Sequence, residues 1–327
     1  MTKAKIIAKT LAARFGKPSP LALTYELTHL CNLECIYCDR HTPLPKELSH
    51  DVIFGVLEEF IELGMWKINL DGGEPLAHRH IDEIVSWLAE RDISIRTNTN
   101  GILVPKKIES IKKMSIVKIS LDGPRKSHDS MRGKGSFDKA IHGATAAREA
   151  GVPKVAFTCV LGQHNASAID SLIDLLEELN FPVIFQPLRN SLFQGMDRDG
   201  SEFQLQDLEL KTAFAKIEER KRSSEVIANK WSSLRHFRTF PEDTSLPCSA
   251  GWISATMDPE GNLYHCGQIN RGDKTKNVLR RGVQAAFENL NRDGCPQCWC
   301  ARTVEGNFKW GGRIDKLISL TAQRTPT

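Results

Sequence analysis

Three cysteines within eight residues are the first side chains of this sequence that could do chemistry. Cys31, Cys35 and Cys38 have the spacing C-x3-C-x2-C and directly follow a predicted β-strand. Thiolates are soft ligands that favour iron–sulfur clusters or zinc. A structural zinc site needs four ligands, and His41 is the nearest residue that could complete such a set. Three thiolates on a four-iron cluster would instead leave one iron open to bind a substrate or cofactor, and we favour this interpretation.

Five further cysteines lie towards the end of the chain. Cys248 and Cys266 are separated by 17 residues, and Cys295, Cys298 and Cys300 follow with the spacing C-x2-C-x-C. Two distant cysteines and a close pair can satisfy a four-thiolate site. The spacing alone permits zinc as well as an iron–sulfur cluster.

Length, composition and charge limit the class of protein. The 327 residues are 40% hydrophobic and 26% charged, values typical of a globular protein of about two domains. No apolar window is long enough for a transmembrane helix, so we expect no membrane association. The formal charge of +4 is too small to indicate a nucleic-acid partner. The start of the chain lacks a secretory signal, and we expect a reducing, cytoplasmic compartment in which the nine cysteines bind metal rather than form disulfides.

The elements that must position the cysteines alternate between β-type and helical patterns. Strands are predicted at residues 21–28, 67–71, 93–98, 116–121, 155–161 and 183–187. Helices are predicted between them at 49–63, 81–88, 136–150 and 168–179, the first of them capped by Ser49. This alternation predicts βαβ units and a parallel sheet, either doubly wound or a partial barrel. Beyond residue 187 we predict a polar helix at 205–222 and two weak strands at 252–257 and 262–265.

Polar and glycine-rich motifs lie at the carboxyl ends of the predicted strands, where parallel α/β folds place their active sites. The motif DGGEP at residues 71–75 ends the second strand, TNTNG at 97–101 ends the third, and SLDG at 120–123 ends the fourth. Together with the cysteine loop, these motifs resemble the radical S-adenosylmethionine (SAM) superfamily over residues 22–188.

The resemblance implies an α/β fold, a partial (β/α)6 barrel like that of triosephosphate isomerase, and a set of cofactor contacts. Cys31, Cys35 and Cys38 would hold a [4Fe-4S] cluster whose open iron chelates the amino and carboxylate groups of SAM. The further implied contacts are Gly72, Gly73 and Glu74 at the methionine amino group, Tyr37 at the adenine, Ser120 and Asp122 near the ribose or the carboxylate, and Asn98 in the same cavity. The alternatives are ordinary packing for Tyr37, loop capping for Ser120 and Asp122, and turn formation for Asn98.

The C-terminal cysteines resemble the auxiliary-cluster extensions of the same superfamily. Such extensions are called SPASM domains when they bind two clusters and twitch domains when they bind one. Because five cysteines are too few for two fully ligated clusters, we expect one auxiliary [4Fe-4S] cluster and a small, cysteine-rich, twitch-like domain. Its assigned ligands are Cys248, Cys266, Cys295 and Cys298, with Cys300 as the alternate to Cys298.

These assignments divide the chain into five segments. They are an N-terminal helix at 1–20, the radical SAM partial barrel at 21–190, a connection with a helix at 191–247, the auxiliary-cluster domain at 248–300 and a C-terminal helix or tail at 301–327.

The resemblance also implies a reaction. An external one-electron donor such as flavodoxin or ferredoxin would drive cleavage of SAM to a 5′-deoxyadenosyl radical, which abstracts hydrogen from a substrate carbon. The auxiliary cluster would accept the substrate electron, giving a dehydrogenation. A hydrogen-donating Cys159 or Cys300 would instead indicate an epimerase, although Cys159 is more simply a buried core residue.

The substrate is the least determined part of this expectation. Because about 20 residues precede the first strand, too few for a leader-binding domain, we expect a small carbohydrate-like or natural-product metabolite. Modification of a ribosomally synthesised peptide (RiPP maturation) is the alternative. A non-enzymatic iron–sulfur or zinc-binding protein is a more distant one.

Overall fold

Eight strands and eleven helices make up this computed structural model, which describes residues 3–38, 46–188, 201–239, 246–267, 276–290 and 298–311. The strands are β1 (Ala22–Thr28), β2 (Lys67–Gly72), β3 (Ser94–Thr99), β4 (Ile116–Ser120), β5 (Val155–Leu161), β6 (Val183–Pro187), β7 (Ser254–Met257) and β8 (Leu263–Tyr264). The helices are α1 (Lys3–Arg14), α2 (His50–Glu62), α3 (Ile81–Glu90), α4 (Ile108–Ile111), α5 (Arg125–Arg132), α6 (Ser136–Glu149), α7 (Ile169–Glu178), α8 (Asp207–Arg220), α9 (Trp231–Thr239), α10 (Val278–Glu288) and α11 (Ala301–Trp310).

All eight strands belong to one sheet, with the order β6-β5-β4-β3-β2-β1-β7-β8. The first six strands are neighbours in chain order and every pair among them is parallel. A doubly wound sheet would reverse its strand order at a switch point, whereas a barrel winds in one direction. The sheet stays open because β6 and β8 are its edges. The predicted fold class, an open partial barrel, is therefore confirmed.

The C-terminal cysteine region extends the same sheet. β7 pairs in parallel with the free side of β1, and β8 returns antiparallel to β7. The turn between them is held by Asp258, whose Oδ1 accepts hydrogen bonds from the backbone N–H groups of Glu260 and Asn262, both at 2.9 Å. The two weak strands predicted here are thus present and form an antiparallel hairpin, while the predicted segment boundaries stay predictions.

The six predicted strands of the barrel agree with the structure to within one residue at each end. One detail of the first predicted helix is wrong. Ser49 occupies the N-cap position of α2 with extended backbone, but its side chain makes no capping hydrogen bond. The Ser49 side chain therefore does not cap the first turn of α2. No helix in the part of the chain that the structure describes is long and apolar enough to cross a membrane.

Each central strand has one apolar face and one polar face. In β2, Ile68 and Leu70 are fully buried in the hydrophobic core, while Lys67, Asn69 and Asp71 alternate with them along the strand. Successive side chains of a strand point to opposite faces, so the polar residues of β2 share the side away from that core. The interior of the partial barrel is therefore polar, as a site for a polar ligand requires.

Candidate active site

The loop that leaves β1 carries the first cysteine cluster. Its turn is fixed by a hydrogen bond of 3.0 Å from the Cys38 N–H to the Cys35 carbonyl oxygen, and by one of 2.9 Å from the Ile36 N–H to the Met131 carbonyl oxygen of α5. Cys35 is buried, and Cys31 and Cys38 are half-buried. All three thiols thus lie at the carboxyl end of the parallel strands.

The three thiols of this loop do not form a compact set of donor atoms. Within the described residues, the one set of three His, Cys, Asp or Glu donor atoms that all lie within 4.8 Å of each other is that of His50, His80 and Glu83. A zinc ion at about 2.3 Å from each sulfur would hold thiolates roughly 3.8 Å apart. The three loop thiols do not form such a set, so the preference for a cluster over zinc rests on the sequence motifs. The alternative zinc ligand, at position 41, lies outside the described residues.

The two glycines of the GGEP motif lie against the cysteine loop. A Cβ at Gly72 would be 2.2 Å from the Thr28 carbonyl oxygen, and one at Gly73 would be 2.5 Å from the Leu30 carbonyl oxygen. The N–H groups of Gly73 and Glu74 donate to those two oxygens, both at 2.8 Å. The sequence motif suggests that glycine is needed for close approach of a ligand. In the structure, the backbone of the cysteine loop lies so close to these two positions that they must be glycine whether or not a ligand is bound.

Glu74 is fully buried and its carboxylate is taken up by protein donors. Oε1 accepts hydrogen bonds from the Leu76 N–H at 3.1 Å and from the Thr99 hydroxyl at 2.8 Å, and Oε2 accepts one from the Asn100 N–H at 2.8 Å. Burial raises the pKa of Glu74 to about 7, although these donors oppose the rise. Glu74 therefore joins the end of β2 to the end of β3. Its implied contact with the methionine amino group stays a prediction.

The raised pKa of Glu74 predicts a pH-dependent stability. Between the ordinary value of 4.5 and about 7, the folded state binds more protons at this group than the unfolded state does. The free energy of unfolding should therefore fall by about 3 kcal/mol as the pH rises through this window. Glu74→Gln should remove this part of the pH dependence, and the exposed Glu62→Gln should keep it. Urea unfolding of the three proteins between about pH 4.5 and pH 7 measures the difference; parallel profiles for wild type and Glu74→Gln would refute it.

Asp122, at the end of β4, is the centre of a second buried network. Its Oδ2 accepts hydrogen bonds from the Tyr37 hydroxyl at 2.7 Å and from Nε of Arg132, and its Oδ1 accepts one of 2.9 Å from the Val160 N–H. Burial would raise the pKa of Asp122, but the charge of Arg132 leads the effects that hold it below its ordinary value. The carboxylate is thus ionised and fully engaged, so it positions Tyr37 and Arg132 within the protein.

Arg132 is a site residue that the sequence motifs do not reveal. One guanidinium nitrogen lies 3.9 Å from the Cys35 sulfur, and the guanidinium group lies 5.6 Å from the ring centre of Tyr37. Burial raises the pKa of Cys35 to about 11, and the charge of Arg132 opposes this. The charge of Arg132 therefore favours the thiolate form of Cys35, which is the form that binds metals.

The remaining predicted SAM contacts surround the same edge of the sheet. Asn98 donates to Oδ2 of Asp71 at 3.2 Å. The Asn100 side chain donates to Oδ1 of Asn32 at 2.6 Å, which ties the cysteine loop to the end of β3. Ser120 is half-buried beside Asp122 at the end of β4. The structure thus brings these residues together, and their roles towards SAM stay predictions.

Cys159 lies near the end of β4 but in the core: the Asn165 side chain that contacts its sulfur also donates to the Asp122 carbonyl oxygen at 2.9 Å. It is 1% exposed and belongs to the hydrophobic core, where the Asn165 side-chain nitrogen is 3.8 Å from its sulfur. Burial raises its pKa well above the ordinary value. This position favours the packing interpretation of Cys159 over a role as hydrogen-atom donor.

Four of the five C-terminal cysteines lie in the described part of the chain. Cys248, Cys266, Cys298 and Cys300 are all half-buried, and Cys295 lies outside the described residues. The Asn307 side chain of α11 accepts from the Ser249 N–H at 2.8 Å and lies 3.7 Å from the Cys298 sulfur, so it connects two of the assigned segments. A group of half-buried thiols fits a soft-metal site.

Cys300 directly precedes α11, and the structure separates its surroundings from those of Cys298. Burial lowers the pKa of Arg302, but Cys300, Asp71 and Cys266 are near enough for their charges to raise it above the ordinary value. Cys300 therefore lies towards the polar interior, whereas the Cys298 sulfur contacts the side chain of Asn307.

We expect Cys298 and not Cys300 to be the auxiliary ligand. Cys298→Ala should lose or destabilise the second cluster, because a C-x2-C loop wraps a metal with little strain. Cys300→Ala is the matched control and should retain both clusters. Iron content and electron paramagnetic resonance of the two variants measure the outcome. The reverse result would make Cys300 the ligand, and clusters retained in both would require a ligand other than cysteine.

The polar face of the sheet also carries basic side chains that the sequence motifs do not include. They are Lys67 on β2, Arg96 on β3, Lys118 on β4 and, from α11, Arg302. Burial lowers the pKa of Lys67 and of Lys118 to about 8 in each case, and neighbouring cations add to the shift. The signal in the sequence is the alternation Lys-Ile-Asn-Leu-Asp in β2. In a strand covered on both faces, such alternation indicates a polar interior rather than solvent.

The comparison with known families agrees with this geometry. Residues 25–176 match the model of the Radical SAM superfamily. Residues 25–176, which contain the cysteine loop and the strand ends described above, thus match a radical SAM domain. The resemblance seen in the sequence motifs is confirmed.

Curated relatives resemble most of the chain at low identity. The mycofactocin maturase MftC of Mycolicibacterium smegmatis is 26% identical over 266 residues, which cover 77% of this chain and 65% of the relative. The Fe-coproporphyrin III synthase of Methanosarcina barkeri is 28% identical, with 70% and 56% covered. A probable GTP 3′,8-cyclase of Methanosarcina mazei is 29% identical, with 80% and 84% covered. The chain spans less than two thirds of the length of the first two.

Solved structures show the same fold. SuiB of Streptococcus suis bound to S-adenosylmethionine superposes with a TM-score of 0.63 at 19% identity, covering 80% of this chain and 64% of SuiB. Native anSMEcpe with bound AdoMet gives a TM-score of 0.65 at 18% identity, with 83% and 81% covered. At these identities the likeness concerns the fold alone.

Proposed function

We propose that this chain is an enzyme that reductively cleaves SAM and abstracts hydrogen from a substrate carbon in the polar interior of the sheet. The observation that carries the proposal is the position of three thiols in the loop after β1, beside the carboxyl ends of β2 to β4. When bound, the cluster and SAM supply the 5′-deoxyadenosyl radical.

The residues around the thiols hold that site in place. Gly73 lets the cysteine loop lie against the end of β2, and Glu74 locks that end to β3. Asp122 fixes Arg132, and Arg132 lies beside Cys35. Such a preorganised set keeps the ligands of the cluster and the place of SAM constant during turnover.

We further propose an auxiliary [4Fe-4S] cluster held by Cys248, Cys266, Cys295 and Cys298. A fully ligated cluster has no open iron for substrate, so its use would be to accept the electron left after hydrogen abstraction. The net reaction would then be an oxidation, with the first electron supplied by an external carrier such as flavodoxin or ferredoxin. The twitch-like arrangement of one such cluster matches the number of cysteines.

Two substrate classes enter the proposal. A small metabolite, dehydrogenated or epimerised, is the first, and the charged cavity inside the sheet supports it. A peptide is the second, because MftC is a maturase and a SuiB structure contains a precursor peptide, SuiA. Both facts concern those proteins, so the second class is the alternative.

The test of this function uses the anaerobically reconstituted protein. With SAM and dithionite it should form 5′-deoxyadenosine and methionine, and without dithionite it should form neither. Chromatography of the products measures the reaction. A protein that carries its cluster and binds SAM but forms no 5′-deoxyadenosine under reducing conditions would contradict the proposal.

A further inference from the structure

A cavity inside the sheet brings three basic side chains together. Lys67 of β2, Arg96 of β3 and Arg302 of α11 line it beside Cys266, a proposed auxiliary ligand, and the space open to the centres of water molecules is about 110 Å³. One water molecule needs roughly 10 to 15 Å³ of such space. The cavity is thus large enough for several waters or for one small charged group.

The register of the strands explains why these cations meet. Lys67 is paired with Ser94, and Asn69, two residues further along β2, is paired with Arg96 of β3. Since alternate residues of a strand share one face, Lys67 and Arg96 project from the same face of neighbouring strands. Arg302 reaches the cavity from α11.

Among the described residues, the ion pair of this group is that of Arg302 with Asp71. Asp71 lies 3.7 Å from a guanidinium nitrogen of Arg302. In the described part of the chain, that nitrogen and Nε of Arg96 are buried without a hydrogen-bond partner. Burial and the charge of Arg302 lower the pKa of Arg96, and the four neighbours with the largest effect on Lys67 are all basic. Buried N–H groups of a cation that make no hydrogen bond are costly, and a bound anion would accept those hydrogen bonds.

We propose that Lys67, Arg96 and Arg302 bind an anionic group of the substrate, a carboxylate or a phosphate, within this cavity. The inference rests on the proposed function and specifies its substrate class: a molecule with a small anionic end. A planar guanidinium binds the two oxygens of such a group in a fork. Arg96 lies three residues before the end of β3, or roughly 10 Å below the edge that holds the cysteine loop. The substrate would thus extend from this anchor towards SAM.

The test is equilibrium dialysis of the reconstituted protein with radiolabelled inorganic phosphate and, separately, with radiolabelled acetate. We expect one bound anion per chain, and the probe that binds more tightly identifies the group. Arg96→Met should weaken binding by roughly tenfold or more, since charge-assisted hydrogen bonds are lost. Lys67→Met provides a second variant. The matched control is Arg222→Met, since Arg222 is exposed just after α8, and this variant should bind as the wild type does.

Each result decides for or against the site. If the wild type makes 5′-deoxyadenosine but binds neither probe, the anion site is wrong and the proposed function stands. If the wild type binds a probe tightly but makes no 5′-deoxyadenosine, the anion site is supported and the proposed function is wrong. Binding that is unchanged in both Arg96→Met and Lys67→Met overturns the assignment of these residues. Loss of iron from Arg96→Met, with anion binding retained, would show that the cations serve the auxiliary cluster instead.

Discussion

Replacing Cys31, Cys35 and Cys38 together with alanine should abolish 5′-deoxyadenosine formation while the auxiliary cluster still assembles. These three thiols are the only cysteines at the carboxyl end of β1 in the described residues. If each site holds a four-iron cluster, iron should fall from about eight to about four atoms per chain. Iron analysis, Mössbauer spectra and product chromatography on the same preparations measure both effects.

The control for this variant is Cys159→Ala. Cys159 is also buried, but it lies in the hydrophobic core, so its loss should reduce stability without removing iron from either site. A triple variant that still cleaves SAM would refute the assignment of the cluster. A triple variant that loses all its iron would show that the two sites depend on one another.

The second large effect is expected from a single methyl group. In Gly73→Ala the new Cβ would lie 2.5 Å from two carbonyl oxygens, those of His29 and Leu30, in the loop that leads to Cys31. Backbone atoms cannot move aside as the end of a flexible side chain can, so the loop must shift. We therefore expect loss of both the first cluster and SAM binding, rather than weaker SAM binding alone.

Gly55→Ala gives the matched comparison for this substitution. Gly55 lies within α2, and a Cβ there would meet no atom within 4 Å. Alanine should stabilise that helix by about 0.5 to 1 kcal/mol without affecting iron content. Spectra of the cluster with and without SAM, recorded on both variants, separate the two cases. A Gly73→Ala protein with a full cluster but weaker SAM binding would show that glycine is needed here for contact with SAM and not for the position of the loop.

Much of the barrel was predictable from local patterns. The strands could be predicted to within a residue because each is a short segment rich in β-branched residues, and most are bounded by Gly, Asn, Asp or Pro. The position of the candidate site followed from the same rule, since DGGEP and SLDG end neighbouring strands.

What could not be predicted depends on contacts between distant residues. Nothing in the sequence near Glu74 shows that its carboxylate accepts hydrogen bonds from Thr99 and Asn100. The same is true of Asp122 and Arg132, whose pairing depends on how α5 packs. Ser49 is the opposite case: the sequence predicts that its side chain caps α2, and in the structure the side chain makes no capping hydrogen bond. Motifs identify which residues matter, but partners are set by tertiary packing.

The position of β7 has a consequence for the order in which the protein folds. Ala22 of β1 pairs with Ser254 of β7, a contact that closes a loop of roughly 230 residues and is correspondingly slow to form. During synthesis, strands β1 to β6 can associate as soon as they emerge. The outer edge of β1 can pair with β7 only after nearly the whole chain has been made. Until then that edge offers unpaired backbone groups to other chains. Truncations that end before residue 254 should therefore aggregate more readily than the full chain.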